Sequence, residues 1–154
     1  MSLLSDIILG LKKSYGETCR PVKRTKNRYL VSKNGKVFSL STGRSLRPKP
    51  LLLKPHTDKK GYQQVILKVD GVSLNARVHR LVSESFLGLR VGSPKQVHHK
   101  DFNPRNNKVS NLIITDSKTN VGLSRKSKRH LRRVIELDCL EKGIKLPKRK
   151  VVWE

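Results

Sequence analysis

The sequence predicts an α+β fold: a small antiparallel β-hairpin sheet, then a strand, loop, strand and helix unit, and finally a basic C-terminal helix. Three observations predict it. Short apolar runs flank Asn34-Gly35 and again Asp70-Gly71, dipeptides suited to the left-handed backbone of tight hairpin turns. Val78, Leu81, Val82 and Phe86 then recur at helical spacing. Last, Val97-His98-His99-Lys100-Asp101 is followed by Asn106-Asn107, Asn111-Leu112 and Asn120, which gathers bases, metal-ligand types and amides within one supersecondary unit.

Each element has its own warrant. Met1 to Lys13 reads as a short amphipathic helix that packs or is disordered rather than binding a membrane. Tyr29-Leu30-Val31 and Val37 to Leu40 are the strands of the first hairpin. Ser45 to Pro55 holds three prolines around Leu51-Leu52-Leu53, and since each proline removes a donor it reads as an extended linker that tucks its leucines under the sheet. Gly61 to Val69 and Val72 to Val78 form the second hairpin, with Val72, Leu74 and Ala76 alternating inward. The two hairpins are expected to share one sheet. A helix from Arg77 to Leu87 is stopped by Gly88, and His79, beside its apolar stripe, reads as structural.

Gln96 to His99 is extended, so His98 and His99 point to opposite faces unless the chain bends there. Asp101 to Lys108, rich in Asn, Asp and Pro, is a loop, and Val109 to Ile114 a second strand. Thr115 or Asp116 caps a following helix, with Asn120 on its second turn. A last helix runs from Ser127 to Lys142 and ends at Gly143.

Charge narrows the partner. The chain carries 35 Lys and Arg against 11 Asp and Glu, a formal charge of +24 on 154 residues, with a pI near 10.7. Such a surplus attracts polyanions through counterion release. From Thr18 to Thr57 there is no acidic residue, so this stretch is expected to face solvent or phosphate. No run of about eighteen apolar residues exists to span a membrane, and Met1 to Leu11 lacks the marks of a secretion signal. Cys19 and Cys139 form neither a disulfide framework nor a CxxC zinc pair, which fits a reducing interior. An aromatic content of 5% speaks against a single-strand binder built on stacking.

Hydrolysis of a phosphodiester needs a deprotonated water, neutralised non-bridging oxygens and a stabilised leaving oxygen, and so a base beside a metal. The words VHHKD, the Asn pair 106 and 107, Asn111-Leu112 and Asn120 resemble the HNH nucleases, with the ββα-metal fold, and among them the phage and intron homing endonucleases. Val78-His79-Arg80-Leu81-Val82 with Glu84 and Phe86 is similar to the helix that precedes the HNH unit. The resemblance spans about residues 28 to 124. It implies that His99 is the general base, that His98 and Asn120 hold one divalent cation (Mg²⁺ or Mn²⁺, or another transition metal), and that Asn111 pins the loop and orients the base. It also implies 5′-phosphate and 3′-hydroxyl products.

Three positions depart from the family. Phe102 stands where Gly is common, Asn120 where many members have His, and His98 where homing members often have Asp. A neutral imidazole and a neutral amide bring no charge to attract the ion, and imidazole suits later transition metals better than magnesium.

The regions expected are a basic N-terminal arm, 1–27; a β-hairpin DNA-contact region, 28–76; an HNH nuclease core, 77–124; and a basic DNA-binding helix and tail, 125–154. Arg24, Lys26, Arg28, Arg80, Arg125, Lys128, Arg129, Arg132 and Arg133 are the expected DNA contacts. The function expected is a metal-dependent, site-specific, strand-nicking endonuclease acting on double-stranded DNA as a monomer, with no membrane or protein partner. Its expected setting is the cytoplasm of a bacterial host, as a phage- or intron-encoded protein. The alternative is a non-catalytic basic nucleic-acid binder with a decayed nuclease unit.

Overall fold

In the computed structural model, residues 2–42, 45–118 and Gly143 are described. The first helix, α1 (Leu3–Tyr15), begins where the Ser2 hydroxyl accepts from the Ser5 N–H and ends at Gly16, left-handed at φ 65°. Its buried face, Ile7 and Leu11, packs on Cys19, Leu30, Phe38 and Leu40. Of the two alternatives left open for this segment, packing and disorder, packing is observed.

A four-stranded antiparallel sheet follows in spatial order β1 (Cys19–Pro21), β2 (Tyr29–Ser32), β3 (Val37–Ser41) and β4 (Leu46–Leu52). Alternation splits β2 and β3 between two cores. Leu30, Phe38 and Leu40 meet α1, while Tyr29, Val31 and Val37 face the main core. Both faces of the sheet are therefore covered, and β2 is buried along its whole length. Residues 1–27, expected as an arm, supply α1 and the strand β1.

One expectation fails in this sheet. Ser45 to Pro55 is not a linker but contains β4, paired with β3 at Phe38↔Leu52 and Ser39↔Leu51. Its place at the edge explains the prolines, since an edge strand tolerates missing donors. Leu51 and Leu52 stay 47% and 45% exposed, and it is Leu53 that packs against the core. The hairpin expected around Asn34-Gly35 does form, closed by Lys33, Asn34 and Gly35: Ser32 N–H donates to Lys36 O and the strands pair from Val31↔Val37.

The second hairpin does not join this sheet. β5 (His56–Thr57), β6 (Gln63–Val69) and β7 (Val72–Arg77) make a separate three-stranded sheet. Val69 pairs with Val72 across a two-residue turn in which Asp70 and Gly71 both have positive φ, 52° and 80°. The inward alternation holds at Leu74 and Ala76 but not at the tip, where Val72 is 58% exposed. One hydroxyl links the two sheets: Tyr29 Oη accepts from Lys68 N–H at 2.9 Å.

Helix α2 (Val78–Phe86) lies at the centre of the main core. Val78, Leu81 and Val82 contact residues of both sheets and, beyond them, Val97 and Leu112. Gly88, at φ 74°, ends it as expected. The third sheet is the hairpin of β8 (Gln96–His99) and β9 (Leu112–Thr115). Val109–Asn111, expected as the start of a strand, is a 3-10 turn instead. Helical backbone begins at Ser117. Thr115 does not cap it through its hydroxyl, whose oxygen is buried without a partner. No helix among the described residues is long and apolar enough to cross a membrane. Asn120, Arg125, Lys128, Arg129, Arg132, Arg133 and the helix expected over 127–142 lie outside the described residues.

Candidate active site

The β8–β9 hairpin sets the frame of the site. Pairing runs without interruption from Gln96↔Thr115 to His99↔Leu112, so there is no bend within β8. His99 shares the core face with Val97, and His98 lies on the other face. The chain turns only afterwards, at Phe102, whose N–H donates to His99 O. Phe102 is left-handed at φ 61°, a conformation that costs a side chain about 1 kcal/mol or more. Its ring stands edge-on to His98, with centroids 4.9 Å apart. The position where a glycine was expected to be missed thus keeps the glycine backbone and adds a wall to His98.

Asp101 organises the loop. Its Oδ1 accepts from Asn103 N–H and from Asn111 Nδ2, both at 2.8 Å, and its Oδ2 accepts from Asn106 Nδ2 at 2.7 Å. Asn111 completes the lock: its Nδ2 also donates to Asn106 O at 2.8 Å and its Oδ1 accepts from Asp101 N–H at 3.1 Å. Burial works against the Asp101 carboxylate, but the hydrogen bonds from Asn106, Asn103 and Asn111 outweigh it and hold its pKa below the usual value. Each Asp101 oxygen is already engaged.

His99 is 5% exposed. Its Nε2 lies 2.9 Å from Asn107 Oδ1, and the ring is flanked by His79 at 5.1 Å and Tyr62 at 5.9 Å, centroid to centroid. Burial lowers its pKa, against the upward pull of Asn107 and Asp101, so the ring is neutral at physiological pH and able to accept a proton. Asn111, expected to orient this histidine, pins the loop; the direct contact comes from Asn107. The motif contained Asn107, but nothing in the spacing singled it out.

His79, expected as a structural residue, is 4% exposed with its Nδ1 unpartnered. Burial drives its pKa down to about 3, with His99 adding to the fall. It also lines a polar cleft of about 230 Å³ with Lys60, Tyr62, Arg77, Arg80 and Gln96. Arg77 lies over the Tyr62 ring and near Asp58. Lys60 and Arg77 were not singled out from the sequence, because only folding brings Lys60 and Tyr62 to the start of α2, where Arg77 is the N-cap.

Several expected DNA contacts are engaged within the protein. Arg24 forms a two-pronged pair with Glu84, whose side chain is 1% exposed. Lys26 and Arg28 both pair with Asp70. Arg80 donates Nη1 to Lys95 O and Nη2 to Ser93 O, at 3.1 and 3.0 Å, which holds the loop leading into β8. The acid-free stretch therefore does not face only solvent or phosphate. Acids from outside it, Glu17 to Lys36 among them, fold back onto its cations.

Among the described residues, no group of three or more His, Cys, Asp or Glu converges on a metal position. The donor chemistry expected for a cation is the His98 imidazole and the Asn120 amide, and of these His98 is described, buried at 9% exposure on the face of β8 opposite His99.

The chain is similar to several known proteins. A family model described as HNH endonuclease matches residues 76–121. The DNA endonuclease I-HmuI of Bacillus phage SP01 is 34% identical over 103 residues, covering 66% of this chain and 54% of its own length. A protein of Acanthamoeba polyphaga mimivirus described as an HNH endonuclease is 33% identical over 95 residues, 62% of this chain and 26% of that protein. The chain thus spans about half, or less, of the length of these relatives. Among solved structures, the HNH homing endonuclease I-HmuI, described in binding and cleaving DNA, superposes with a TM-score of 0.58 at 32% identity, over 77% of this chain and 67% of the other.

Proposed function

This chain belongs to the HNH endonuclease family, and on that premise we propose that it hydrolyses phosphodiester bonds of double-stranded DNA, as a site-specific enzyme of the homing type. The observation that carries the proposal is the Asp101–Asn106–Asn111 lock, a set of side-chain hydrogen bonds that ties the turn after His98 and His99. Bonding of this kind supports catalysis because a base must be positioned before the substrate arrives.

In this reading His99 removes the proton from the attacking water, and its low basicity keeps it unprotonated until it acts. His98 and Asn120 hold a single divalent cation, Mg²⁺ or Mn²⁺. An imidazole and a carboxamide fit such an ion, with the imidazole favouring Mn²⁺ and other transition ions over Mg²⁺. When bound, the ion neutralises a phosphate oxygen and stabilises the leaving oxygen. Asn111 keeps the loop closed, and Lys60 and Arg77 along the cleft attract the DNA backbone. One site serves one strand, so the first product is a nick with 5′-phosphate and 3′-hydroxyl ends.

Two observations favour the rival reading, a binder without activity: His99 is 5% exposed, and the unbent β8 sets His98 and His99 on opposite faces. The test is supercoiled plasmid carrying the target, incubated with protein and Mg²⁺ or Mn²⁺. Open circle is expected before linear product, and His99→Ala is expected to stop cutting while retaining the gel shift. Linear product at the earliest times would refute the nicking step, and an intact protein that binds but never cuts with any divalent ion would establish the binder.

A further inference from the structure

His99 is supported from outside its own hairpin. Asn107, 3% exposed, is the partner of its Nε2, and the other end of that carboxamide is committed too, since Asn107 Nδ2 donates to Gln63 Oε1 at 3.0 Å. Gln63 lies on β6, in the second sheet. An amide that has given its N–H₂ to Gln63 presents its oxygen to the imidazole, so the imidazole must donate. The ring proton is then on Nε2, and Nδ1 carries the lone pair.

The same asparagine is braced by the first sheet. Gly35, at φ 84°, lies so close that a Cβ built on it would be 2.8 Å from Asn107 Cβ and 3.2 Å from its carbonyl oxygen. Two residues away on each segment, Val109 N–H donates to Lys33 O at 2.8 Å. A side chain at residue 35 would push directly on the asparagine, so the first hairpin must pass here as bare backbone. Asn107 is thus fixed by three separate segments at once.

We infer that Asn107, braced by Gln63 and by the Gly35 backbone, is the positioning residue that fixes His99 as its Nε2–H tautomer and leaves Nδ1 to take the proton from water. This rests on the nuclease reading for its purpose, though the tautomer itself does not. A positioning partner of this type resembles the orienting group behind other catalytic histidines, whose loss leaves the ring in the wrong tautomer.

The test uses the full chain, with imidazole nitrogens observed by long-range ¹H–¹⁵N NMR without DNA. Wild type is expected to show a protonated Nε2 and a bare Nδ1 at His99. Asn107→Leu, which keeps the size but not the acceptor, is expected to mix the tautomers and lower kcat about 10- to 100-fold, with KM within about twofold. Asn107→Asp, which restores the acceptor oxygen, is expected to recover the Nε2–H form and most of kcat. A wild-type His99 protonated on Nδ1 would overturn the inference, as would an Asn107→Leu protein cutting at the wild-type rate, or equal losses in the Leu and Asp variants. If Asn107→Leu does not fold, the wild-type spectrum and that of Gln63→Leu, expected to lose tautomer purity, decide the matter. A wild type with the expected tautomer that cuts no DNA would refute the nuclease reading and leave the positioning role standing.

Discussion

His79 shows how much a single buried ring determines. Its folded-state pKa of about 3 lies below the value of about 6.5 for an exposed histidine, so between those limits the unfolded chain binds a proton that the folded one refuses. Stability is then complete above pH 6.5 and falls as pH drops through that window. From pH 7.5 to 5.0 the loss from this residue is about 2 kcal/mol, read as a drop in the urea midpoint; His79→Phe, which keeps the ring against Tyr62 and His99, should flatten the dependence. An unchanged slope in the variant would assign the pH response elsewhere. At this scale the sequence was legible where a motif is contiguous: His98, His99 and Asn111 are all in the hairpin they were expected to build. The partnership of His99 with Asn107 was not legible, because it depends on Gln63 and Gly35 arriving from other sheets.

Elements were read well where local chemistry alone decides them. The Asp70-Gly71 turn is one such case, and since nothing lies within 4 Å of a Cβ built on Gly71, Gly71→Ala isolates the backbone cost of a left-handed residue. A loss of about 1 kcal/mol is expected, measured by urea unfolding; a variant as stable as wild type would show that the turn relaxes to another type. α2 and its glycine stop were legible for the same reason, a strong period and a clear terminator. The division of the strands into three sheets was not, because period and turn chemistry specify neighbours along the chain and say nothing of which hairpins share an edge. β4 was hidden by its prolines, which rule out a central strand but permit an outer one.

Over the whole molecule, charge is the property most readily misread. A formal +24 describes the chain, yet Arg24, Lys26, Arg28 and Lys36 each meet an acid in the fold. Arg24 is the sharpest case, because its partner Glu84 is buried. Arg24→Ala leaves that carboxylate uncompensated, and a loss of about 3 kcal/mol in unfolding free energy is expected, with the salt dependence of DNA binding unchanged. A shallower salt slope at full stability would make Arg24 a phosphate contact after all. The Lys33–Val109 link and the close approach of Gly35 to Asn107 bear on any attempt at miniaturisation. Excising residues 76–121 as a portable cutting cassette would carry off both neighbouring histidines but leave behind the scaffolding that keeps one of them aligned, so a transplant must bring the two upstream sheets along.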